Sequence, residues 1–388
     1  MDINHPDDNL PPERPVVNTA TRSFIVWDVG VRVFHWSLVA SVILCAYTGF
    51  LGPKNWLGVH LASGEVIAVL IVFRIVWGLT GTTYARFRSF PLSTSAVFKH
   101  FRDASMGRTH ADTGHNPAGA AMVYALLAVV VLVLLTGLVA LGGALKQGPL
   151  AFATTYSVGH WAREAHEWLA IGLLALVAVH LAGDAFESWR TKENLTRSMI
   201  TGRRIGKMSG DQPVVTAHPW LAATAMAAIA WLVIPAGARL SSFPALGVPT
   251  EPIDPVYARE CGRCHFAYPA SLMTAPVWVS VMGGLANHFG ENAALDAATT
   301  TKIREWLVTN SSEHWDTLAA HRFRRMDPAE PLRITASPAW VHFHDDLPAA
   351  VFASKAVGSK VACGACHHDA ATGRFDPQEI AIPREARP

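Results

Sequence analysis

The stretch that decides the fold is residues 163–187, REAHEWLAIGLLALVAVHLAGDAFE. Between Glu167 and Asp184 it has no Asp, Glu, Lys or Arg, and it reads as one membrane helix. It carries His166 and His180, 14 residues apart. On a helix that spacing is close to four turns, so both lie on one face, roughly 21 Å apart along the axis. An ionisable side chain inside a bilayer is expensive and points to function. Two histidines in register, near opposite ends of one span, suit axial ligands for two stacked b-type haems.

The rest of the chain can be set around that helix. At 388 residues it is long enough for two or more domains. It is 51% hydrophobic, with a mean hydropathy of +0.24, which fits a membrane half joined to a soluble half. The net charge of +2 and the lack of a basic aromatic patch give no reason to expect nucleic acid. Residues 1–23 are rich in Asp, Asn and Pro and form a polar tail. No apolar core near the start marks a signal peptide. Apolar spans are expected at about 34–51, 57–79 and 118–141 before the histidine helix, and at about 219–236 after it. A polar, basic connection covers 80–117. A connection of roughly twenty residues leads from the third span to the fourth.

Lysine and arginine counts orient the spans. Fourteen lie in the tail, after span two and after span four, against three (Lys54, Lys146 and Arg163) on the other side. The N-terminus is therefore expected in the cytoplasm of a bacterial inner membrane, and everything after about residue 239 outside it. This orientation sorts the histidines by depth. His35 and His180 fall in an inner layer, His60 and His166 in an outer one. Two bis-histidine b haems need two pairs at two depths. Arg74 follows His60 by 14 residues on the same face. It is a candidate partner for a haem propionate; the rival is an arginine that snorkels to the interface. Glu65 receives no role.

From residue 241 the composition changes. SSFPALGVPTEPIDP (241–255) is a Pro-rich linker. Beyond it stand CGRCH at 261–265 and CGACH at 363–367. CxxCH is the attachment signature of c-type haem: Cys261 and Cys264, then Cys363 and Cys366, bond the porphyrin, and His265 and His367 ligate iron. Zinc held by two CxxC pairs is the rival, but it needs no histidine after each pair. For the sixth ligands the candidates are His288 and His344. His314, His321, His342, His368, Met273 and Met282 stay open, His342 as the direct rival of His344, and the pairing could be exchanged. Helical patterns are expected near 277–289 and 300–311 in an otherwise loop-rich segment.

These motifs carry a resemblance. WDVGVRVFHW (27–36), LGVHLASGEVIAVLIVFRIVWGLTG (57–81), GHNPAGAAM (114–122) and residues 166–203 resemble the prokaryotic cytochrome b561 and nickel–iron-hydrogenase cytochrome b family. YARECGRCHFAYPASL, LANHFGENA, LRIT and VGSKVACGACHHDAATGRF resemble the dihaem cytochrome c family. The first resemblance implies a four-helix bundle holding two b haems on His35, His60, His166 and His180. The second implies two covalent c haems. The expected fold class is thus an all-α membrane protein: a four-helix haem-binding bundle (24–210), a fifth transmembrane helix (211–240), the linker, and a small, mostly α, loop-rich dihaem domain outside (256–388). Asp184 receives no role.

The expected function is electron transfer across the bilayer. It would run between the membrane quinone pool and a periplasmic redox partner such as a small c-type haem protein, with quinol oxidation favoured. A homodimer is allowed. If the chain is an enzyme, it is a quinol:cytochrome c-type oxidoreductase; no nucleophile–base pair or phosphate loop is visible. Two other readings are a membrane anchor subunit for a hydrogenase or other dehydrogenase, and a haem-based gas-binding protein.

Overall fold

The computed structural model describes residues 22–53, 56–90, 93–106, 116–206 and 215–387. The tail expected at 1–23 lies almost wholly outside them, as does Lys54. In chain order come strand β1 (Arg22–Ile25), helices α1 (Val29–Phe50), α2 (Leu57–Thr80), α3 (Thr94–Ser105), α4 (Pro117–Gly143), α5 (Tyr156–Thr191) and α6 (Leu195–Thr201), strand β2 (Arg203–Gly206) and helix α7 (Pro219–Ser241). After the linker follow α8 (Pro255–Cys261), α9 (Ala275–Gly283), α10 (Ala297–Thr309), α11 (Leu318–Arg322), α12 (Pro338–His344) and α13 (Ala349–Ala353).

Helices α1, α2, α4, α5 and α7 are each long and apolar enough to cross a membrane, matching the five expected spans. Three details differ from the sequence reading. The connection at 80–117 contains α3, whose apolar residues fall on one side of a short polar helix. The link between α4 and α5 is only residues 144–155. Helix α5 has 36 residues, about 54 Å, which exceeds the ~30 Å hydrocarbon core; helical backbone therefore continues past the apolar run at both ends.

The described residues within 1–33, 77–123 and 179–219 form one compact unit, and those within 34–76, 124–178 and 220–388 form another. In the first, β1 and β2 pair antiparallel, with Arg22 opposite Gly206 and Ile25 opposite Arg203. Gly202 sits at φ +79°, and a Cβ there would lie 2.6 Å from the Trp27 carbonyl. That left-handed turn is open to glycine at little cost. It ends α6 and lets the Gly202 carbonyl accept from Val26 and Trp27 N–H. Asp28 caps α1, accepting from Val31 N–H at 2.8 Å, and also accepts from Trp77 Nε1 and the Thr82 hydroxyl. One carboxylate therefore starts α1 and fixes the end of α2.

In the second unit, α1, α2, α4 and α5 meet around Ile67, Ile71, Val130 and Leu173. Asn116 caps α4 through Gly119 N–H, with Pro117 at the first helical position. Where α4 ends, its backbone touches α5 directly. A Cβ on Gly159 would sit 2.2 Å from Ala144 N, so only glycine permits that crossing. Trp220 and Trp231 on α7 are 84% and 80% exposed, as lipid-facing residues of a span would be. The C-terminal part is built on Ile303 and Leu307 of α10, packed with Tyr257, Trp278 and Leu272. Asp254, Asp296 and Ser337 cap α8, α10 and α12.

Candidate functional site

Three histidine pairs stand at nearly one separation. The ring centroids of His60 and His166 are 6.1 Å apart, those of His265 and His288 6.2 Å, and those of His344 and His367 6.1 Å. Two metal–nitrogen bonds of about 2 Å each, plus the ring radii, give roughly 6 Å between centroids of two imidazoles on one metal. All six of these residues belong to the second unit.

The hydrogen bonds fix the imidazole tautomers. His60 Nδ1 donates to the Cys45 carbonyl at 3.2 Å and His166 Nδ1 to the Val133 carbonyl at 2.9 Å. His265 Nδ1 donates to the Phe266 carbonyl and His344 Nδ1 to the Trp340 carbonyl, both at 2.8 Å. A carbonyl can only accept, so the proton sits on Nδ1 and Nε2 keeps the lone pair that ligates a metal. Thr48 Oγ1 lies 3.1 Å from His60 Nδ1 while donating to the Leu44 carbonyl.

Glycines keep room beside the membrane pair. A Cβ on Gly137 would come 3.0 Å from His166 Cε1, and one on Gly49 3.4 Å from His60 Cε1. Neither glycine was singled out from sequence; each lies on an apolar helix where a lone glycine gives no signal.

The C-terminal sites have matching electrostatics. Burial, with Glu260 beside it, pushes the Cys261 thiol up to about 11, and burial pushes Cys363 to about 11 as well. Among the described residues no three His, Cys, Asp or Glu side chains converge on a metal site. Burial first, and then His344, lowers His367 to about 4, and burial lowers His288 and His344. A lowered value favours the neutral imidazole that a metal ligand must be. The residues present therefore fit haem better than zinc. They comprise two CxxC thiol pairs, with a histidine after each and a second histidine opposite.

The remaining sequence candidates fall as follows. His344, and not His342, stands opposite His367; His342 is exposed on α12 beside Phe343. His288 stands opposite His265, so the described pairing is not exchanged. Arg74 on α2 is buried, 4% exposed. His35 on α1 lies edge-on to Trp36. His35 and His180 belong to different units. Asp184 accepts a hydrogen bond from Thr196 at 2.7 Å.

One cluster escaped the sequence reading. Lys146 Nζ meets Asp316 Oδ2 at 2.6 Å and the Thr154 carbonyl at 3.0 Å. The same carboxylate accepts from Tyr156 N–H at 2.7 Å and pairs with His321 at 2.8 Å, and the Tyr156 ring stacks on His321. Burial would raise the Asp316 carboxyl, but the bonds from Lys146, Tyr156 and His321 hold it below its ordinary value.

Comparison with known proteins agrees with this geometry. Residues 26–202 match the family described as prokaryotic cytochrome b561, and residues 257–375 the family described as dihaem cytochrome c. The chain is 24% identical over 209 residues to a probable Ni/Fe-hydrogenase B-type cytochrome subunit of Bradyrhizobium diazoefficiens, covering 46% of this chain and 85% of that protein. It is 23% identical over 227 residues to the corresponding hydrogenase 1 subunit of Escherichia coli, covering 49% and 95%. Among solved structures, the dihaem cytochrome c of Shewanella baltica is 35% identical, covering 34% of this chain and 93% of that one, with a TM-score of 0.27. The dihaem cytochrome c of Rhodobacter sphaeroides is 36% identical, covering 33% and 99%, with a TM-score of 0.28.

Proposed function

Because this chain belongs to the prokaryotic cytochrome b561 family over residues 26–202 and to the dihaem cytochrome c family over residues 257–375, we propose that it carries electrons from membrane quinol to a periplasmic acceptor. Membrane b-type cytochrome and dihaem c-type regions in one chain imply electron transfer. Haem at these sites supplies one-electron chemistry. The side chains do the rest. His60 with His166 would hold one b haem, and His35 and His180 are the residues the family resemblance suggests as ligands for a second. His265 with His288, and His344 with His367, hold two c haems. The carbonyls of Val133 and Cys45 orient the membrane imidazoles, and Arg74, buried on α2, is the residue that would neutralise a haem propionate.

The observation that carries the reading is the grouping of the His60–His166 pair with both C-terminal pairs in one compact unit. Among the described residues after 218, one helix, α7, is long and apolar enough to cross a bilayer, which supports the placement outside the membrane. The Lys146–Asp316 contact supports it too, because the lysine and arginine distribution puts loop 144–155 on that same side. The test uses membranes containing the full chain under anaerobic conditions. Added quinol should reduce both the b and the c absorption bands. If the c bands stay oxidised while the b bands are reduced, the reading fails.

A second reading has support in the names of the relatives, which are hydrogenase cytochrome subunits: the chain would pass electrons between a dehydrogenase and quinone. Against it stands the dihaem domain fixed to loop 144–155, on the face such a partner would use. For a gas-binding role, one C-terminal iron would need an open position, whereas each CxxCH histidine has a second imidazole opposite.

A further inference from the structure

Two sets of contacts fix the C-terminal domain to loop 144–155, and they come from particular parts of that domain. The first is the Asp316 cluster. Lys146 is 3% exposed and its backbone takes a positive φ of 56°, so the loop is bent to deliver this one ammonium inward. Asp316 N–H in turn donates to the Gly247 carbonyl at 2.7 Å, and Leu246 N–H donates to the Ala151 carbonyl at 2.8 Å. Gly247 sits at φ +67°, and a Cβ there would lie 2.4 Å from Asp316 Cβ. The second set comes from the segment just after CGACH. Arg374 donates to the Lys146 carbonyl at 3.3 Å, and Gln147 donates to Asp376.

Between these two sets lies Phe375, at φ 53°. Its ring is 5.1 Å from the ring of His367, and it lines a small cleft with Ala144, Leu145 and Lys146. Those three residues directly follow α4, whose last turns include Gly137 beside His166. Phe375 thus stands between the His367 ring and the residues that follow α4. At the first CxxCH site, by contrast, Phe289 is 57% exposed beside His288, with Arg333 over its ring, and the Arg263 side chain is 74% exposed.

We infer that the second CxxCH site, His344 with His367, is the one seated against the membrane domain, and that Lys146 and Asp316 are the positioning residues that seat it. The first site, His265 with His288, then faces the soluble partner. This rests on the electron-transfer reading only for its consequence. With haem held at each site, an electron leaving the His60–His166 site would be taken up at the second C-terminal site and then at the first, with no proton or co-reactant needed. A residue that merely stabilised the domain would protect both C-terminal sites alike; a seat protects one.

The experiment compares the full-length, haem-loaded protein with Lys146→Met and Lys146→Arg by hydrogen–deuterium exchange. Lys146→Met should raise exchange about tenfold in peptides covering 316–321 and 370–378, and leave 285–293 unchanged. Lys146→Arg, which keeps the charge, should restore most of the protection. Equal loss at both sites, or none at either, overturns the seat. The c-band spectrum checks that the domain is intact; if Lys146→Met does not assemble, Asp316→Asn gives the same comparison. Separately, rapid reduction by quinol should show the c phase slowed about tenfold in Lys146→Met with the b phase unchanged. If wild-type c bands never respond to quinol, the functional proposal fails. The exchange pattern then still decides the seat.

Discussion

His60 and His166 come from different helices, 106 positions apart in sequence, yet their rings stand 6.1 Å apart, and the Nδ1 of each donates to a main-chain carbonyl. That arrangement leaves both Nε2 atoms with lone pairs at a spacing suited to one iron. Loss of either histidine should therefore empty one site. In His166→Ala and in His60→Ala, the b content of purified protein should fall by about half while the c content holds. His180→Ala should remove the other b haem. A pyridine haemochrome assay reads all three, and retention of full b content in any variant contradicts the ligand assignment.

The glycines beside these rings give a graded test. Gly137→Ala places a methyl 3.0 Å from His166 Cε1, tighter than ordinary contact, whereas Gly49→Ala places one 3.4 Å from His60. Overpacking of this kind costs about 1–3 kcal/mol. Gly137→Ala should lower the temperature at which the b spectrum is lost, and Gly49→Ala should lower it less. The reverse order would show that the rings have freedom to move away.

Each CxxCH motif should account for one covalent haem. Replacing Cys261 and Cys264 together, or Cys363 and Cys366 together, by alanine should halve the haem that stays with the polypeptide after acid–acetone extraction. The extractable b haem should be unchanged. Equal b and c content in the unmodified protein is the matching expectation.

Asp316 predicts the response to acid. Its folded-state value lies below the ordinary one, held there by Lys146, Tyr156 and His321 against the effect of burial. A carboxyl depressed in this way contributes its stability fully above the unfolded value of about 3.9. That contribution disappears as pH falls through the folded value. Proteolysis around residues 241–255 should therefore be constant from neutral pH down to about 5 and rise below about 4. Asp316→Asn should show that susceptibility at all pH values. An acid step of unchanged size in Asp316→Asn would assign it to another group.

The chain shortened after Ala238 keeps every membrane histidine and loses the C-terminal domain. Quinol should still reduce its b bands, and its delivery of electrons to a soluble c-type acceptor should collapse. Undiminished delivery would separate the two domains functionally.

Much of this was legible in the sequence because membranes constrain it. A charge-free run of that length around His166 and His180 reads as a bilayer-crossing helix, and each CxxCH is the attachment signature of c-type haem. The choice between His342 and His344 was open, although α12 resolves it simply. Residues two apart on a helix point about 200° away from each other, so only one can face His367. The Lys146–Asp316 contact was not legible. A single lysine in a short loop and a single aspartate 170 residues later carry no periodicity, and their meeting depends on how the C-terminal domain is placed. Amphipathic α3 was missed because its polar half resembles a loop. The continuation of α5 beyond its apolar run was missed because hydropathy reports bilayer depth and not helix length.

The central claim, that electrons pass from quinol through the membrane sites to the C-terminal ones, is tested most directly by time. Full-length protein is mixed rapidly with quinol without oxygen, and the b and c absorption bands are followed separately. The account predicts that the b bands rise first and the c bands follow after a lag. Reduction of the c bands while the b bands remain oxidised would contradict it.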